Sequence, residues 1–341
     1  MERVRIVVRG PRGFLVAEID FAPCICYTNF VKKITSRELW EINTLQALTQ
    51  DSGPEVAFAD RWQEAWHIRA QHFSPQIGFV RPSRTLSVSL TGFHCALGCA
   101  HCGGHYLNGM VPIEDADATG MTSCLISGGC DAQGKVPVGS HMSLVKALRS
   151  GRVLNWHVGL IGEAEMCAIA PYVDIISFDF VGDDATIHEV YGLNCTVGHY
   201  VSTYRMLQRH AVVVPHLILG LRGGQLRGEY RALHLLAEIG LPALVVLVLI
   251  PTPGTRYADC EPPPLSEVAD FLLTARCALP DTPIHLGCMR PGGRYRRDLD
   301  LMAVWAGVNK IVNPAPIAAQ LAGELGLKVK RESECCVIQR S

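Results

Sequence analysis

The stretch "TLSVSLTGFHCALGCAHC", residues 85–102, decides the fold that this sequence predicts. It begins as a short β-prone run and continues into a loop with three cysteines. Further runs of the same kind follow at 122–127, 154–160, 174–178, 212–219, 243–250, 283–287 and 309–312. Amphipathic helices are predicted between them, at 141–149, 163–171, 199–209, 228–239, 265–278, 294–306 and 315–325. Apolar strands that alternate with amphipathic helices are typical of a parallel sheet covered by helices.

Eight strand–helix units over about 240 residues are typical of a closed (β/α)8 barrel. We therefore predict an α/β fold of the TIM type for residues 81–327, with an open, doubly wound sheet as the alternative. Residues 1–80 are predicted to form a small N-terminal extension, with a hairpin from "RVRIVV" and "FLVAEID" and helices near 36–49 and 58–72. Residues 328–341 are predicted to be a polar, cysteine-bearing tail outside the barrel.

The composition narrows the class of protein. Of the 341 residues 48% are hydrophobic and 18% charged, which is enough apolar material for a large buried core. The net charge is −1 and no long run of one sign occurs, so no nucleic-acid partner is expected. The longest apolar run, 243–250, is too short to span a membrane, and we find no secretory signal. We therefore expect a cytoplasmic protein without a membrane partner.

Fourteen cysteines are many for a cytoplasmic chain, and the reducing cytosol argues against a disulfide framework. Cys95, Cys99 and Cys102 follow the first barrel strand, where βα loops carry the active sites of such barrels. Three thiolates at CxxxCxxC spacing can hold three corners of a 4Fe–4S cluster and leave one iron open. The alternative is a zinc site completed by His94, His101 or His105, although structural zinc usually takes ligands from two separated pairs.

Several motifs resemble the radical S-adenosylmethionine (SAM) superfamily. The CxxxCxxC loop follows the first strand, and "LISGG" at 125–129 ends the second strand, where that superfamily has a Gly-Gly-Glu motif. "PHLILGL" at 215–221 resembles its fifth-strand GxIxG segment, and "LIPTPGT" at 249–255 resembles the sixth-strand PxxGTP segment of biotin-synthase-like members. Two departures are Cys130 in place of the acidic residue and His101 where an aromatic residue usually precedes the third cysteine.

This resemblance implies a cluster on Cys95, Cys99 and Cys102 that binds and cleaves SAM. It also implies SAM-binding roles for residues of the other motifs, namely His101, Ser127, Gly128, Gly129, Ile218, Gly220 and Pro251. Ser177 and Asp179 alternate along the fourth strand and so point to one face, from which we expect them to hydrogen-bond the SAM ribose. Arg222 offers a planar guanidinium for the SAM carboxylate.

Longer segments resemble the archaeal-type biotin synthase homologues, over about residues 76–337. They include "HCGGHYLNGM", "HVGLIGEAE", "LRGGQLRGEYRAL" and "IHLGCMRPGGRYRRDLD". One branch of that group resembles a subunit of the two-component lipoyl synthase. The resemblance implies sulfur insertion at unactivated C–H positions of an octanoyl chain on a lipoyl domain or H-protein. It further implies a second radical SAM subunit and a reducing electron donor as partners.

Sulfur insertion needs a donor near the barrel mouth, usually a second iron–sulfur cluster. The unassigned cysteines supply candidate ligands, because two adjacent ones in a charged tail are poor core residues. We predict a second cluster on Cys335 and Cys336, completed by Cys288 or by Cys24 and Cys26. The rival interpretations are a biotin-synthase-like or metallocofactor-maturation enzyme with a small free substrate, and a non-catalytic zinc-binding module.

Overall fold

The computed structural model describes residues 3–10, 13–20 and 55–338, with side chains from residue 60 onward. Contacts divide the chain into two units, Met1–Asp51 and Ser52–Ser341. In the first unit, β1 (Arg3–Gly10) and β2 (Gly13–Asp20) pair antiparallel, which confirms the predicted hairpin. The helix expected near 36–49 and the pair Cys24 and Cys26 lie outside the described residues.

The second unit alternates strands with helices. Its strands are β3 (Gln76–Val80), β4 (Thr85–Ser89), β5 (Val111–Pro112), β6 (Ser123–Ser127), β7 (Val153–His157), β8 (Ile175–Asp179), β9 (Val212–Leu219), β10 (Leu244–Val248), β11 (Ile284–Leu286), β12 (Lys310–Val312) and β13 (Lys328–Glu332). Its longer helices are α1 (Glu55–His72), α2 (Met142–Leu148), α3 (Glu163–Ile169), α4 (Val197–Gln208), α5 (Glu229–Ile239), α6 (Leu265–Ala278), α7 (Gly293–Trp305) and α8 (Pro316–Glu324). The expected helices of the barrel are all present, and their ends lie within two residues of the predicted ones.

All the strands of this unit belong to one curled, 11-stranded sheet in the order β13-β3-β12-β11-β10-β9-β8-β7-β6-β4-β5. Every pairing in the sheet is parallel. The eight strands predicted for the barrel are β4 and β6 to β12, so the α/β, TIM-type fold is confirmed. Because the strands are parallel, the loops that follow them meet at one edge of the sheet.

Alternation along each strand separates two cores. Residues that point outward, such as Val246 and Ile311, are fully buried against the helices. Residues that point inward, such as Val245 and Val312, form a second cluster inside the barrel. Within the described part of the chain, no helix combines the length and the apolar character that crossing a bilayer requires.

Three strands fall outside the eight predicted units, and one of them, the two-residue β5, pairs with β4 at one edge of the sheet. Residues 76–80 form β3, which lies between β12 and β13 in the sheet. Residues 328–332 form β13, the edge strand. Both segments are short and β13 is mostly charged, so their hydrophobic pattern gives no strand signal. The sheet therefore includes the end of the region expected as an extension and the start of the region expected as a tail.

The tail does not lie outside the barrel. The interior cluster buries Cys336, Val337 and Ile338. The last two are apolar and pack against inward-facing strand residues such as Val245 and Val312. Just before them, the backbone N–H of Arg84 donates to the Ser333 carbonyl at 2.8 Å. The Cys335 N–H donates to the Thr85 hydroxyl at 2.8 Å. The tail thus connects β13 to β4 and forms the barrel floor.

Arg290 follows β11, at the edge where barrels carry catalytic groups, yet it is fully buried in a structural ion pair. Its guanidinium donates to both carboxylate oxygens of Asp300, at 2.9 and 3.1 Å. Asp300 also accepts from the backbone N–H of Ala315 at 2.7 Å. The pair therefore joins β11, α7 and the loop before α8.

Replacing Arg290 with Ala should destabilise the protein by roughly 3–5 kcal/mol, because Asp300 would remain buried without its charge partner. Urea unfolding followed by circular dichroism measures this loss. Arg294→Ala is the control, since that guanidinium is exposed and its partner Asp298 keeps a second ion pair with Arg297, so the loss should be about 1 kcal/mol or less. Equal losses in the two variants would contradict the assignment.

Candidate active site

The loop with three cysteines leaves the end of β4 and is fixed from two sides by backbone hydrogen bonds. The N–H of Ala100 donates to the carbonyl of Val190 at 2.7 Å, in the π-helical turn Ile187–Tyr191 that follows β8. The N–H of Tyr257, after β10, donates to the carbonyl of Ala100 at 3.1 Å. The loop therefore lies among the βα loops at the carboxyl edge of the sheet, as predicted. Cys99 is buried, while Cys95 and Cys102 are half-buried.

The turn after β6 packs directly against this loop. A Cβ atom on Gly129 would lie 1.9 Å from the carbonyl oxygen of His94 and 2.6 Å from the Cα of Cys95, so only glycine fits. The N–H of Gly129 donates to the Thr91 hydroxyl at 2.7 Å. The N–H of Ala96 donates to the carbonyl of Cys130 at 2.8 Å. The two glycines of "SGG" thus allow backbone to approach backbone beside Cys95.

Two of the loop thiols are hydrogen-bonded to each other. The bond from Cys99, together with the neighbouring His101, lowers the pKa of Cys102 to about 4. The same bond and the burial of Cys99 raise the pKa of the Cys99 thiol. Burial and the charge of Cys95 raise the pKa of Cys130 to about 12. At neutral pH the loop therefore holds Cys102 as a thiolate, which the neighbouring Cys99 thiol stabilises by a hydrogen bond.

His101 is buried between two tyrosines. Its ring centroid lies 6.0 Å from that of Tyr106 and 5.6 Å from that of Tyr191, both in edge-on arrangements. Within residues 60–338, its Nδ1 atom has no hydrogen-bond partner. A buried ring nitrogen without a partner indicates a group that the protein binds at this position.

The carboxyl ends of β7, β8 and β9 bring three titratable side chains together inside the barrel. His157 Nδ1 lies 4.0 Å from an Asp179 carboxylate oxygen, and the His157 and His216 rings are 5.2 Å apart. Burial lowers the pKa of His157 to about 4, and burial together with His157 lowers the pKa of His216 to about 4. Burial raises the pKa of Asp179. Both histidines are therefore neutral at pH 7 and can take part in hydrogen bonds.

The remaining predicted SAM contacts occupy different depths of the barrel. Ser127, at the end of β6, donates its hydroxyl to the His157 carbonyl at 3.2 Å. Asp179 is half-exposed at the mouth, whereas Ser177 lies deeper, is fully buried and donates to Asn155 at 3.0 Å. Ile218 points inward and is half-buried. Ser177 and Asp179 thus lie on the same face of β8, as predicted, but only Asp179 is exposed at the mouth.

The motifs after β9 and β10 are built into turns. Gly220 has φ +70°, and its N–H donates to a Glu229 carboxylate oxygen at 2.9 Å. The Arg222 guanidinium donates to Glu189 at 2.6 Å, and Pro251, after β10, is half-buried. Because Glu189 already accepts from Arg222, any carboxylate ligand would have to compete with this ion pair.

The tail cysteines are not over the barrel opening, where a mobile tail would place them, but at its floor. The Cys335 N–H donates to the hydroxyl of Thr85, the first residue of β4. Thr85 lies four residues, or roughly 13 Å, before the end of that strand, where the cysteine loop begins. The side-chain amide of Asn155 lies 3.7 Å from the Cys335 sulfur. A hydrogen bond from Cys336 lowers the pKa of Cys335 to about 7. Cys288, after β11, interacts electrostatically with both tail thiols, and burial raises its pKa.

Sequence reasoning overlooked two groups of this floor. Asn155 contacts both Cys335 and Ser177 from the middle of β7. Lys310, at the start of β12, pairs with Glu332 at 2.7 Å and donates to the Cys336 carbonyl at 3.4 Å. Their only signal is a polar residue within an otherwise apolar strand, in "LNWHV" and "NKIV".

Neither a protein-family model nor a curated protein sequence matches the chain. Solved structures do match it. Methylornithine synthase (PylB) superposes with a TM-score of 0.57 at 13% identity, over 85% of this chain and 94% of that one. The FeFe-hydrogenase maturase HydG from Carboxydothermus hydrogenoformans superposes with a TM-score of 0.58 at 12% identity, over 87% of this chain and 76% of that one. The chain has the fold of these two proteins.

The residues of the loop fit the 4Fe–4S cluster and the SAM that the sequence motifs imply. Three cysteines in one loop are the soft ligands that iron–sulfur clusters take. Gly129 leaves no side chain between the β6 turn and Cys95, so the backbone of that turn is the nearest wall of the site. The unpartnered Nδ1 atom of His101 adds a polar group for a bound molecule.

Gly129→Ala should abolish iron binding at the loop, because the added methyl group would overlap the backbone of His94 and Cys95. Iron and sulfide analysis after anaerobic reconstitution measures this, with circular dichroism to check folding. Gly109→Ala is the control, since a Cβ there meets nothing within 4 Å. Unchanged iron in Gly129→Ala would show that the loop does not depend on this contact.

In metal-free, reduced protein, Cys102 should be alkylated by iodoacetamide at pH 6, while Cys130 should stay unmodified below about pH 9. The lowered pKa of Cys102 makes it a thiolate at any pH above about 4, and the raised pKa of Cys130 keeps it protonated. Peptide mass spectrometry across pH 4–10 gives both profiles. Alkylation of the two cysteines with the same pH dependence would contradict these assignments.

Proposed function

We propose that this chain is a radical SAM enzyme. The observation on which the proposal rests is the close packing of the three-cysteine loop against the glycine turn of β6 at the carboxyl edge of the barrel. The fold that it shares with methylornithine synthase and the hydrogenase maturase is compatible with this activity. A structural zinc module would have no need of a barrel mouth with buried, unpartnered polar atoms.

The proposal assigns separate roles to the residues of the site. Cys95, Cys99 and Cys102 would hold the cluster, and the backbone at Gly128 and Gly129 would meet the amino-acid part of SAM. Asp179, half-exposed at the mouth, would accept hydrogen bonds from ribose hydroxyls. When bound, the cluster and SAM supply a 5′-deoxyadenosyl radical that can break an unactivated C–H bond. The neutral His157 and His216 line the interior and can hydrogen-bond a substrate there.

We further propose that the reaction is sulfur insertion into a protein-bound octanoyl chain, as one part of lipoyl synthesis. Three thiols within electrostatic range of one another support this, namely the exposed Cys288 and the tail cysteines Cys335 and Cys336. They are candidate ligands of a second cluster that donates sulfur. That Cys24 and Cys26 complete this second cluster stays a prediction. A substrate C–H bond held between the mouth and the floor would lie between the radical source and the sulfur source.

The partners follow from the same proposal. An octanoylated lipoyl domain or H-protein would present its acyl chain to the mouth, and a second radical SAM subunit and a reducing electron donor would act with this chain. Phe93, in the cysteine loop, is 62% exposed and offers an apolar contact for such a protein beside the mouth.

An anaerobic assay tests the function. Reconstituted protein, with the partner subunit, a reductant and SAM, should form 5′-deoxyadenosine and thiolate an octanoylated lipoyl-domain peptide, as measured by mass spectrometry. Cys95→Ala should abolish both products. SAM cleavage without thiolation under any partner combination would refute lipoyl synthesis and favour a small free substrate. A colourless, zinc-loaded protein would refute radical SAM chemistry altogether.

A second measurement counts clusters. When Cys95, Cys99 and Cys102 are all changed to Ala, the reconstituted protein should keep one cluster's worth of iron and sulfide. Adding Cys335→Ala and Cys336→Ala should remove the rest. If the triple variant retains no iron, the tail cysteines do not hold a sulfur-donating cluster.

A further inference from the structure

A fourth thiol lies beside the three cysteines of the loop. Cys130 follows Gly129 in the β6 turn, whose backbone is in contact with Cys95. The Cys130 carbonyl accepts from the N–H of Ala96 at 2.8 Å, inside the CxxxCxxC segment. Its position is therefore tied to the loop by the backbone of both segments.

The Cys130 thiol lies near the loop thiols, because the backbone of its turn contacts His94, Cys95 and Ala96. It interacts electrostatically with those of Cys95, Cys99 and Cys102, and also with the carboxylate of Asp179 at the mouth. The Cys130 side chain is half-buried, so part of it is accessible. Four thiols are therefore close to one another, three from the β4 loop and one from the β6 turn.

A buried histidine nitrogen of this site is available to a bound group. His101, next to Cys102, is 7% exposed, and in the described chain its Nδ1 has no partner. Asp131, the acidic residue nearest the glycine turn, accepts from the N–H groups of Gln133 and Lys135 at 2.9 Å each. One Asp131 oxygen is therefore engaged in its own turn, and the thiol of Cys130 is the soft ligand that the β6 turn offers to iron.

We propose that Cys130 is a fourth, exchangeable ligand of the cluster held by Cys95, Cys99 and Cys102, and that SAM displaces it. This inference rests on the proposed radical SAM function. In the absence of SAM, the iron that the three loop cysteines leave free would be bound by Cys130. The resting cluster would then be closed, with a protein ligand on each of its four irons.

The exchange balances as a substitution of Lewis bases. The bond between iron and the Cys130 sulfur breaks, and bonds from iron to the amino nitrogen and a carboxylate oxygen of SAM form. The departing sulfur keeps its electron pair and takes up the proton that the SAM ammonium group loses on coordination. No electron is transferred, so the oxidation state of the cluster is unchanged.

Oxidative loss of iron tests the closed state. A cluster with an exposed iron loses it under mild oxidation and becomes a three-iron cluster, which is paramagnetic in its oxidised form. In anaerobically reconstituted full-length protein without SAM, Cys130→Ala should give a several-fold larger three-iron signal than the wild type by electron paramagnetic resonance. Excess SAM should lower the signal of the variant. Cys167→Ala is the matched control, because that exposed cysteine lies on α3.

A measurement on the wild type alone complements the variant. At about pH 10, where the free Cys130 thiol begins to react, Cys130 should resist iodoacetamide in the cluster-loaded protein and become alkylated when SAM is added, with Cys167 alkylated equally in both states. An equal three-iron signal in Cys130→Ala and wild type, or alkylation of Cys130 that SAM does not change, would overturn the inference. Absence of any cluster in the wild type would instead refute the proposed function.

Discussion

Contact between two backbone segments, the loop after β4 and the turn after β6, is the constraint on which the candidate site depends. At Gly129 the segments are too close for any side chain. The parallel sheet makes this possible, because β4 and β6 pair in register from Thr85↔Ser123 to Ser89↔Ser127 and so end at the same level. The thiols of Cys95 and Cys130 are neighbours because their strands are neighbours.

Much of this fold could be predicted from the sequence, because each barrel unit repeats the same alternation of apolar strand and amphipathic helix. The cysteine loop was equally readable, since its ligands are close in sequence. The β3 and β13 strands were missed because they pair with each other although about 250 residues separate them in the sequence. A five-residue charged segment such as 328–332 has no hydrophobic pattern to indicate a strand.

The floor was hidden for a related reason. In sequence, "ECCVIQRS" is a polar end with two apolar residues, and nothing in it tells which interior surface will bury Val337 and Ile338. The contacts that decide this come from Arg84 and Thr85, and the bond between Thr85 and Cys335 spans 250 residues. A hydrogen bond over so long a separation follows only from the curling of the sheet, which brings the segment after β13 beside β4. The depths of Ser177 and Asp179 likewise depend on the strand stagger of the barrel, although their shared face follows from alternation alone.

The position of the tail also affects how the barrel is completed during synthesis. Residues 335–338 follow all eight strand–helix units in the chain, yet they fill the space between the inner ends of the strands. Until they leave the ribosome, inward-facing residues such as Val214 and Val245 have no floor to pack against. The floor can therefore close only after residues 335–338 have been synthesised, and a chain stalled before β13 would expose a sheet edge and an apolar cavity to chaperones.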